Sequence, residues 1–304
     1  MNLDNPKAAL VATRWSALSR GTERLVFEGR VPQSEWARMR APYQEGEFPF
    51  PVKYGYAAAG IVEDGPQELV GKPVFALHPH QTRFVLPAEA LTLVPAGVPL
   101  RRAVLAANME TALNAVWDGG AGPGDQILVI GGGLLGLLVA AICARMPASA
   151  VTVCDIAPER AQLAAAMGAA FALPADAPGD QDIVFHASAS GAGLGLAIEK
   201  AGFEASIVEV SWFGAGETRV PLGGAFHSRR LRLISSQVGH VSASRRARWN
   251  HSRRLAAALS LLADPVFDAL ITEEVPFEDL PARLPALLAA DAPGLVTVVK
   301  YAKD

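Results

Sequence analysis

Gly131, Gly133 and Gly136 stand at G-x-G-x-x-G spacing, and Asp155 follows 19 residues after the last of them. Each position suits one part of binding an adenine dinucleotide. The first glycine permits a tight turn, and the second lets backbone approach a pyrophosphate. The third lets a helix lie close on its strand. Leu134 and Leu135 open that helix, so their amides are unpaired and carry a partial positive charge for the diphosphate. A carboxylate at Asp155 can accept hydrogen bonds from a ribose and would repel a 2′-phosphate, which favours NAD over NADP.

Such a pattern has meaning only on the right elements. Residues 126–130 read as an apolar strand, the run after the glycines to residue 144 as a helix, and 151–155 as a second strand ending in the acid. Alternation continues with a helix at 158–167, a strand at 183–187 and a helix at 193–201. Strands at 206–210 and 231–235 and a helix at 253–262 follow. This order predicts a doubly wound parallel sheet, class α/β. Residues 1–103 differ in character. Short β-prone runs at 8–15, 58–62, 73–77 and 83–86 lie between prolines and turns, as in a compact β-barrel. Within 31–45 a short helix capped by Ser34 is expected, and 102–117 reads as helix. A last strand at 295–300 is placed to rejoin the barrel, giving one domain from 1–103 with 265–304 and another from 104–264.

Other reactive side chains are fewer. His78 and His80, two apart on an expected strand, would point to one face. Two imidazoles without a third ligand are too few for a metal, so His80 is better read as a proton shuttle. His186 ends an apolar strand and reads as structural, and neither a Ser-His-Asp arrangement nor a helical H-E-x-x-H is legible. Cys143 and Cys154 look like small core residues without a C-x-x-C pair. Arginines cluster at 229, 230, 232, 245, 246, 248, 253 and 254. A solvated face and a pocket for an anionic substrate or cofactor phosphate both stay open.

Several segments, taken in order, resemble the medium-chain dehydrogenase/reductase superfamily, the relatives of zinc-type alcohol dehydrogenases. Ser19-Arg-Gly-Thr-Glu23 looks like that family's first ligand segment, usually C-x-[ST]-[DE]. Tyr54-Gly-Tyr-Ala-Ala-Ala-Gly60 sits where the family has G-H-E-x-x-G, and Gly71-Lys-Pro-Val74 resembles its G-D-x-V turn. Glu110-Thr-Ala-Leu-Asn-Ala115 and Gly122-Pro-Gly-Asp125 continue the likeness. The resemblance implies a GroES-like β-barrel beside a Rossmann domain, a homodimer, and an NAD(P)-dependent oxidoreductase. Its small-molecule substrate would be an alcohol/carbonyl pair or an activated alkene. It also implies Thr111 beside the nicotinamide, Arg160 at the adenosine ribose, Thr22 as the hydroxyl that passes a proton to substrate, and Glu23 as a supporting acid.

The departures from the family pattern carry equal weight. Where the family binds catalytic zinc, this chain has Ser19 or Arg20, Tyr56 and Ala107, none of them a good zinc ligand. With two cysteines the four-cysteine structural zinc lobe cannot form. A zinc-free member is therefore expected, in which the Tyr56 phenol either donates to a developing alkoxide or plugs the emptied metal site. The S-R-G-T-E phrase with G-Y in place of G-H resembles, locally, the bacteriochlorophyllide dehydrogenase branch, without fixing a substrate.

Composition narrows the classes further. In 304 residues, 51% apolar and 19% charged, there is material for two cores. The formal charge of −3 offers no global attraction to nucleic acid. The apolar run 127–144 holds four glycines and changes from strand to helix, which argues against a membrane span. No signal peptide is expected at the N-terminus, and the cysteine usage suits a reducing, cytoplasmic setting. Two other classes stay in play: a non-catalytic dinucleotide-binding sensor or structural protein, and a methyltransferase, which also uses a glycine turn with a downstream acid.

Overall fold

The structure, a computed structural model, describes residues 5 and 7–302. It divides into two compact units, Met1–Ala107 with Leu255–Asp304, and Asn108–Arg254. The first begins with β1 (Ala8–Ala17), β2 (Glu45–Gly46), β3 (Val52–Lys53), β4 (Ala58–Asp64), β5 (Pro73–Ala76), β6 (Arg83–Pro87) and β7 (Thr92–Leu93). Long, small-residue β1 is central, pairing antiparallel with β4, β6 and a later strand. Its Ala9 and Val11 pack with Ala58, Val62, Val74, Ala76, Phe84 and Leu86 in one cluster, a core of β-branched and small side chains that suits close strand packing. Helix α1 (Arg20–Phe27) follows β1 directly, and α2 (Leu100–Ala103) precedes α3 (Ala106–Gly119).

The second unit holds β8 (Gln126–Ile130), β9 (Ala150–Cys154), β10 (Ala170–Ala172), β11 (Gln181–His186), β12 (Ala201–Glu209) and β13 (Arg232–Ser235). Every pairing among them is parallel, in the order β10-β9-β8-β11-β12-β13. Order therefore reverses between β8 and β11, the doubly wound pattern of a Rossmann sheet. Helices α4 (Leu134–Ala144), α5 (Arg160–Ala166) and α6 (Gly191–Lys200) supply the crossovers. Helix α4 is apolar on nearly every side, and most of it is buried, as befits a helix packed deep against a sheet.

Helix α7 (His251–Leu261) leads back to the first unit, where β14 (Ile271–Pro276), α8 (Leu280–Leu287) and β15 (Val296–Lys300) complete it. Strand β15 pairs with β1 and with β14, so the C-terminal strand rejoins the first sheet. Leu18, Val275, Leu280, Leu287, Val299 and Tyr301 form the core beneath it. The chain is thus mixed α/β, a Rossmann unit plus a largely antiparallel unit of the GroES-like kind.

Two local expectations need correction. No α-helix starts at Ser34; a single 3-10 turn, Gln33–Glu35, follows Pro32, and the Trp36 indole donates back to the Val31 carbonyl at 3.1 Å. Proline at 32 and again at 42 leaves too short a run to nucleate a helix. The helix expected at 102–117 is also broken, at Val104 and Leu105 between α2 and α3.

Candidate functional site

The glycine turn after β8 shows a different constraint at each glycine. Gly131 has φ +110°, and a Cβ there would lie 2.8 Å from the Ala187 carbonyl carbon and the Ser188 nitrogen. At Gly136 a Cβ would meet the Gly131 oxygen at 1.9 Å, so only glycine lets α4 approach its strand. Gly133 is the opposite case: nothing lies within 4 Å of the position a Cβ would take. It caps α4 without any side-chain hydrogen bond, so open space meets unpaired first-turn amides, with half-buried Leu134 and Leu135 behind.

Asp155 leaves the end of β9 beside this turn. Its Oδ2 accepts from the Gly132 amide at 2.5 Å and its Oδ1 from the Ala157 amide at 2.9 Å. Each oxygen keeps a further lone pair for an incoming hydroxyl. The Arg160 stem lies against Gly132, where a Cβ would sit 3.2 Å from that of Arg160. Ile156, between them in sequence, is 83% exposed, an apolar side chain beside the acid that no sequence motif marks. Thr111 is half-buried on α3.

Where strand order reverses, β11 contributes a second polar group. His186, fully buried, is hydrogen-bonded through Nδ1 to Glu209 Oε2 at 2.6 Å and through Nε2 to Ser188 Oγ at 2.7 Å. A carboxylate only accepts, so Nδ1–H donates to Glu209 and the Ser188 hydroxyl donates to Nε2. Glu209 is held in turn by the Ser211 amide at 2.8 Å. No sequence motif signals this Ser-His-Glu chain; His186 and Glu209 meet because they are register partners on β11 and β12. Such crevices at the carboxyl ends of parallel strands are where doubly wound sheets bind ligands.

In the first unit, α1 and the β3–β4 segment bring Ser19, Thr22, Glu23 and Tyr56 together. Tyr56 Oη donates to Ser19 Oγ in a short hydrogen bond. Burial is the main reason its phenol is pushed up to about 12; hydrogen bonds with Ser19 and Thr22 act against that rise, and the Glu23 charge adds to it. Glu23 Oε1 accepts from the Ser19 amide at 2.8 Å, while Oε2 accepts from His80 Nε2 at 3.1 Å. His80 Nδ1 lies 2.7 Å from Ser16 Oγ, which lies 3.0 Å from Tyr301 Oη. With Nε2–H given to Glu23, Nδ1 accepts from Ser16 and Ser16 from Tyr301, so every donor has an acceptor. Gly55, at φ +122°, makes room for this imidazole; a Cβ there would come 2.9 Å from the His80 ring.

The expected pairing of His78 with His80 on one strand face is corrected by this geometry. Both lie in the irregular segment between β5 and β6. His78 stacks on Phe84, centroids 4.0 Å apart, and burial lowers its imidazole below the usual range. Cys143 and Cys154 are buried free thiols, pushed by burial up to about 12 and about 11, and so stay protonated. Arg20 donates to the Ala292 carbonyl at 2.9 Å.

Ser19, Tyr56 and Ala107, the positions that the sequence resemblance assigns to zinc, offer a poor donor set for that metal. Ser19 and Tyr56 offer neutral hydroxyls already bonded to each other, Ala107 offers no donor atom, and Glu23 is held by Ser19 and His80. Among the described residues no three of His, Cys, Asp and Glu form a group that could hold a metal ion. Tetrahedral zinc needs thiolate, imidazole or carboxylate around it.

No family model matches the sequence. Solved structures do match the fold. A dehydrogenase from Sinorhizobium meliloti 1021, provisionally named zinc-binding and bound to NADP, superposes with a TM-score of 0.77 at 17% identity, covering 97% of this chain and 92% of that one. The alcohol dehydrogenase TADH from Thermus sp. ATN1 gives 0.74 at 20% identity, over 99% and 94%. An alcohol dehydrogenase from E. coli CFT073, complexed with NADH, gives 0.74 at 16%, over 97% and 92%. Among the described residues no helix is long and apolar enough to cross a membrane. The chain has the two-part fold of these dehydrogenases, a Rossmann sheet with a GroES-like unit.

Proposed function

We propose that this chain is a medium-chain dehydrogenase/reductase that works without zinc. It moves a hydride between NAD(H) and an alcohol/carbonyl pair, or an activated alkene, of a small molecule. The observation that carries the reading is the glycine turn: clear space at Gly133 in front of uncapped α4, with the Asp155 carboxylate beside it. A bound nicotinamide cofactor supplies the hydride acceptor or donor. The α4 amides hold its diphosphate, Asp155 accepts from the adenosine ribose, and Arg160 lines the same edge. Gly131 and Gly136 keep the turn close enough for this. The two free lone pairs of Asp155 favour ribose hydroxyls over a 2′-phosphate, hence NAD over NADP.

Tyr56 serves the substrate oxygen. A phenol raised to about 12 stays protonated at neutral pH, so once its O–H turns from Ser19 Oγ to the substrate oxygen it donates to an alkoxide as carbonyl is reduced and takes the proton back in oxidation. Thr22 and Ser19 hydrogen-bond the phenol and steady its direction. A donor placed at a developing oxyanion is worth about 3–4 kcal/mol, a substitute for part of what a metal would supply.

A fluorescence titration with NADH and NADPH tests the cofactor half, and Asp155→Ala is the informative variant. Tight NADH binding lost in that variant supports the reading; absence of binding in the unmodified protein sinks it. Binding of S-adenosylmethionine in its place would return the methyltransferase alternative. Binding with no turnover over a broad panel of alcohols, aldehydes, ketones and enones would favour the non-catalytic reading.

A further inference from the structure

Strand register lines up four strand ends in the second unit. Cys154, Ile130, His186 and Glu209 are register partners along β9, β8, β11 and β12. Asp155, Gly131 and Ser188 therefore emerge from one edge of the sheet, just past three adjacent strands. Neighbouring strands lie about 4.8 Å apart, so β9 and β11 are separated by about 10 Å. The glycine turn lies between them, and Ser188 abuts it: a Cβ on Gly131 would come 2.8 Å from the Ser188 nitrogen. With Asp155 at the adenosine ribose and the α4 amides at the diphosphate, the second ribose of a dinucleotide falls on the β11 side.

What Ser188 offers there is fixed by the groups behind it. Both oxygens of Glu209 accept, one from the Ser211 amide and one from His186 Nδ1–H. The imidazole proton is thereby placed on Nδ1. Nε2 is left as a bare acceptor, and it takes the single hydroxyl proton of Ser188 at 2.7 Å. The exposed Ser188 can then turn only lone pairs outward.

Two further features hold this arrangement. A Cβ on Gly193 would collide with Ser188 Oγ and lie 2.8 Å from His186 Nε2, so the first turn of α6 closes over the bond. Ala189 is held at φ +50°, which a residue with a Cβ rarely adopts, and its amide donates to Ser211 Oγ at 3.0 Å. Strain of this kind persists where surrounding contacts over-determine it, and it gathers at ligand sites.

We propose that Glu209 and His186 are positioning residues that hold Ser188 as a hydrogen-bond acceptor for a hydroxyl of the second, nicotinamide-bearing ribose. The inference rests on the dinucleotide reading of the glycine turn and adds a contact on the far side of that turn from Asp155.

Calorimetric titration with ADP, ADP-ribose and NADH tests it, since ADP lacks the second ribose and ADP-ribose lacks the nicotinamide. Ser188→Ala should bind ADP-ribose and NADH about fivefold more weakly than wild type, and ADP equally well. Asp155→Ala should weaken all three. In Glu209→Gln the Ser211 amide claims the one side-chain carbonyl, so the new NH2 faces Nδ1 and the imidazole proton moves to Nε2. Ser188 then loses its acceptor polarity, and ADP-ribose should again bind more weakly. Imidazole nitrogen NMR should find the proton on Nδ1 in wild type and on Nε2 in Glu209→Gln. A proton on Nε2 in wild type overturns the proposal, as does unchanged ADP-ribose affinity in either variant. Weakening of NADH alone in Ser188→Ala would move the contact to the nicotinamide and overturn the ribose assignment. Equal weakening of ADP would mean general damage to the turn and overturn it too. Failure of wild type to bind any of the three would overturn the dinucleotide reading, and this inference with it.

Discussion

Gly133 and Tyr56 mark two sites made of different material. Around Gly133 the polar atoms of the proposed cofactor site are backbone amides, and the requirement is absence: no Cβ at Gly131 or Gly136, and empty space at Gly133. Around Tyr56 the functional atoms are side-chain hydroxyls, an imidazole and a carboxylate, each holding the next. The first leaves the amides at the start of α4 without a capping side chain, whereas the groups of the second are hydrogen-bonded to one another. Binding and turnover should therefore fail separately when the two are damaged.

The largest separation is expected from Tyr56→Phe. Turnover should drop about 10²–10³-fold, with NADH affinity unchanged in the same titration. Loss of both would mean the two sites are not separable. Asp155→Ala comes next: NADH affinity should fall about 10- to 100-fold, from charge-assisted hydrogen bonds worth about 1.5–3 kcal/mol, while NADPH loses less. An equal loss for both coenzymes would remove the carboxylate from the discrimination.

A glycine pair sharpens the backbone side. Gly136→Ala forces a Cβ into the Gly131 carbonyl and should cost about 1–3 kcal/mol of stability, read as a lower Tm. Gly133→Ala, in open space at φ −75°, should leave Tm nearly unchanged yet weaken NADH binding. A similar Tm loss in both would refute the distinction drawn between them.

The smallest effect concerns alkaline pH and belongs to the tyrosine side. Burial raises Tyr54 and Tyr301 above the ordinary phenol value of 10.0, and Tyr56 to about 12. A raised native pKa means the folded state keeps protons that the unfolded chain releases. The Tyr56 share of the stabilisation is complete below pH 10 and is lost as pH rises through about 12. Tyr56→Phe should shallow that loss in denaturation curves measured between those pH values. An unchanged slope would show that the phenol contributes nothing to it.

How far the residues could be read in advance follows the same division. The β8–α4–β9 unit was legible because glycine spacing and strand and helix periodicity are local properties. The structure gives the three glycines three distinct surroundings. By contrast, α8 was not legible, since Pro281 and Pro285 interrupt its pattern and packing under β14 and β15 holds it. His78 and His80 look equivalent in sequence, yet one is an aromatic core residue and the other a hydrogen-bond hub.

By itself the sequence determined the alternation of strands and helices, the glycine turn with its acid, and the lack of thiolate or imidazole at Ser19, Tyr56 and Ala107. These rest on residue type and short spacing, and chain-local sterics enforce them. Only the tertiary structure decided which distant polar groups meet: Glu23 with His80, His186 with Glu209, Arg254 with Glu110. Those partners lie 57, 23 and 144 residues apart. Strand register and burial choose them, because a polar group removed from water must find a partner wherever the fold supplies one.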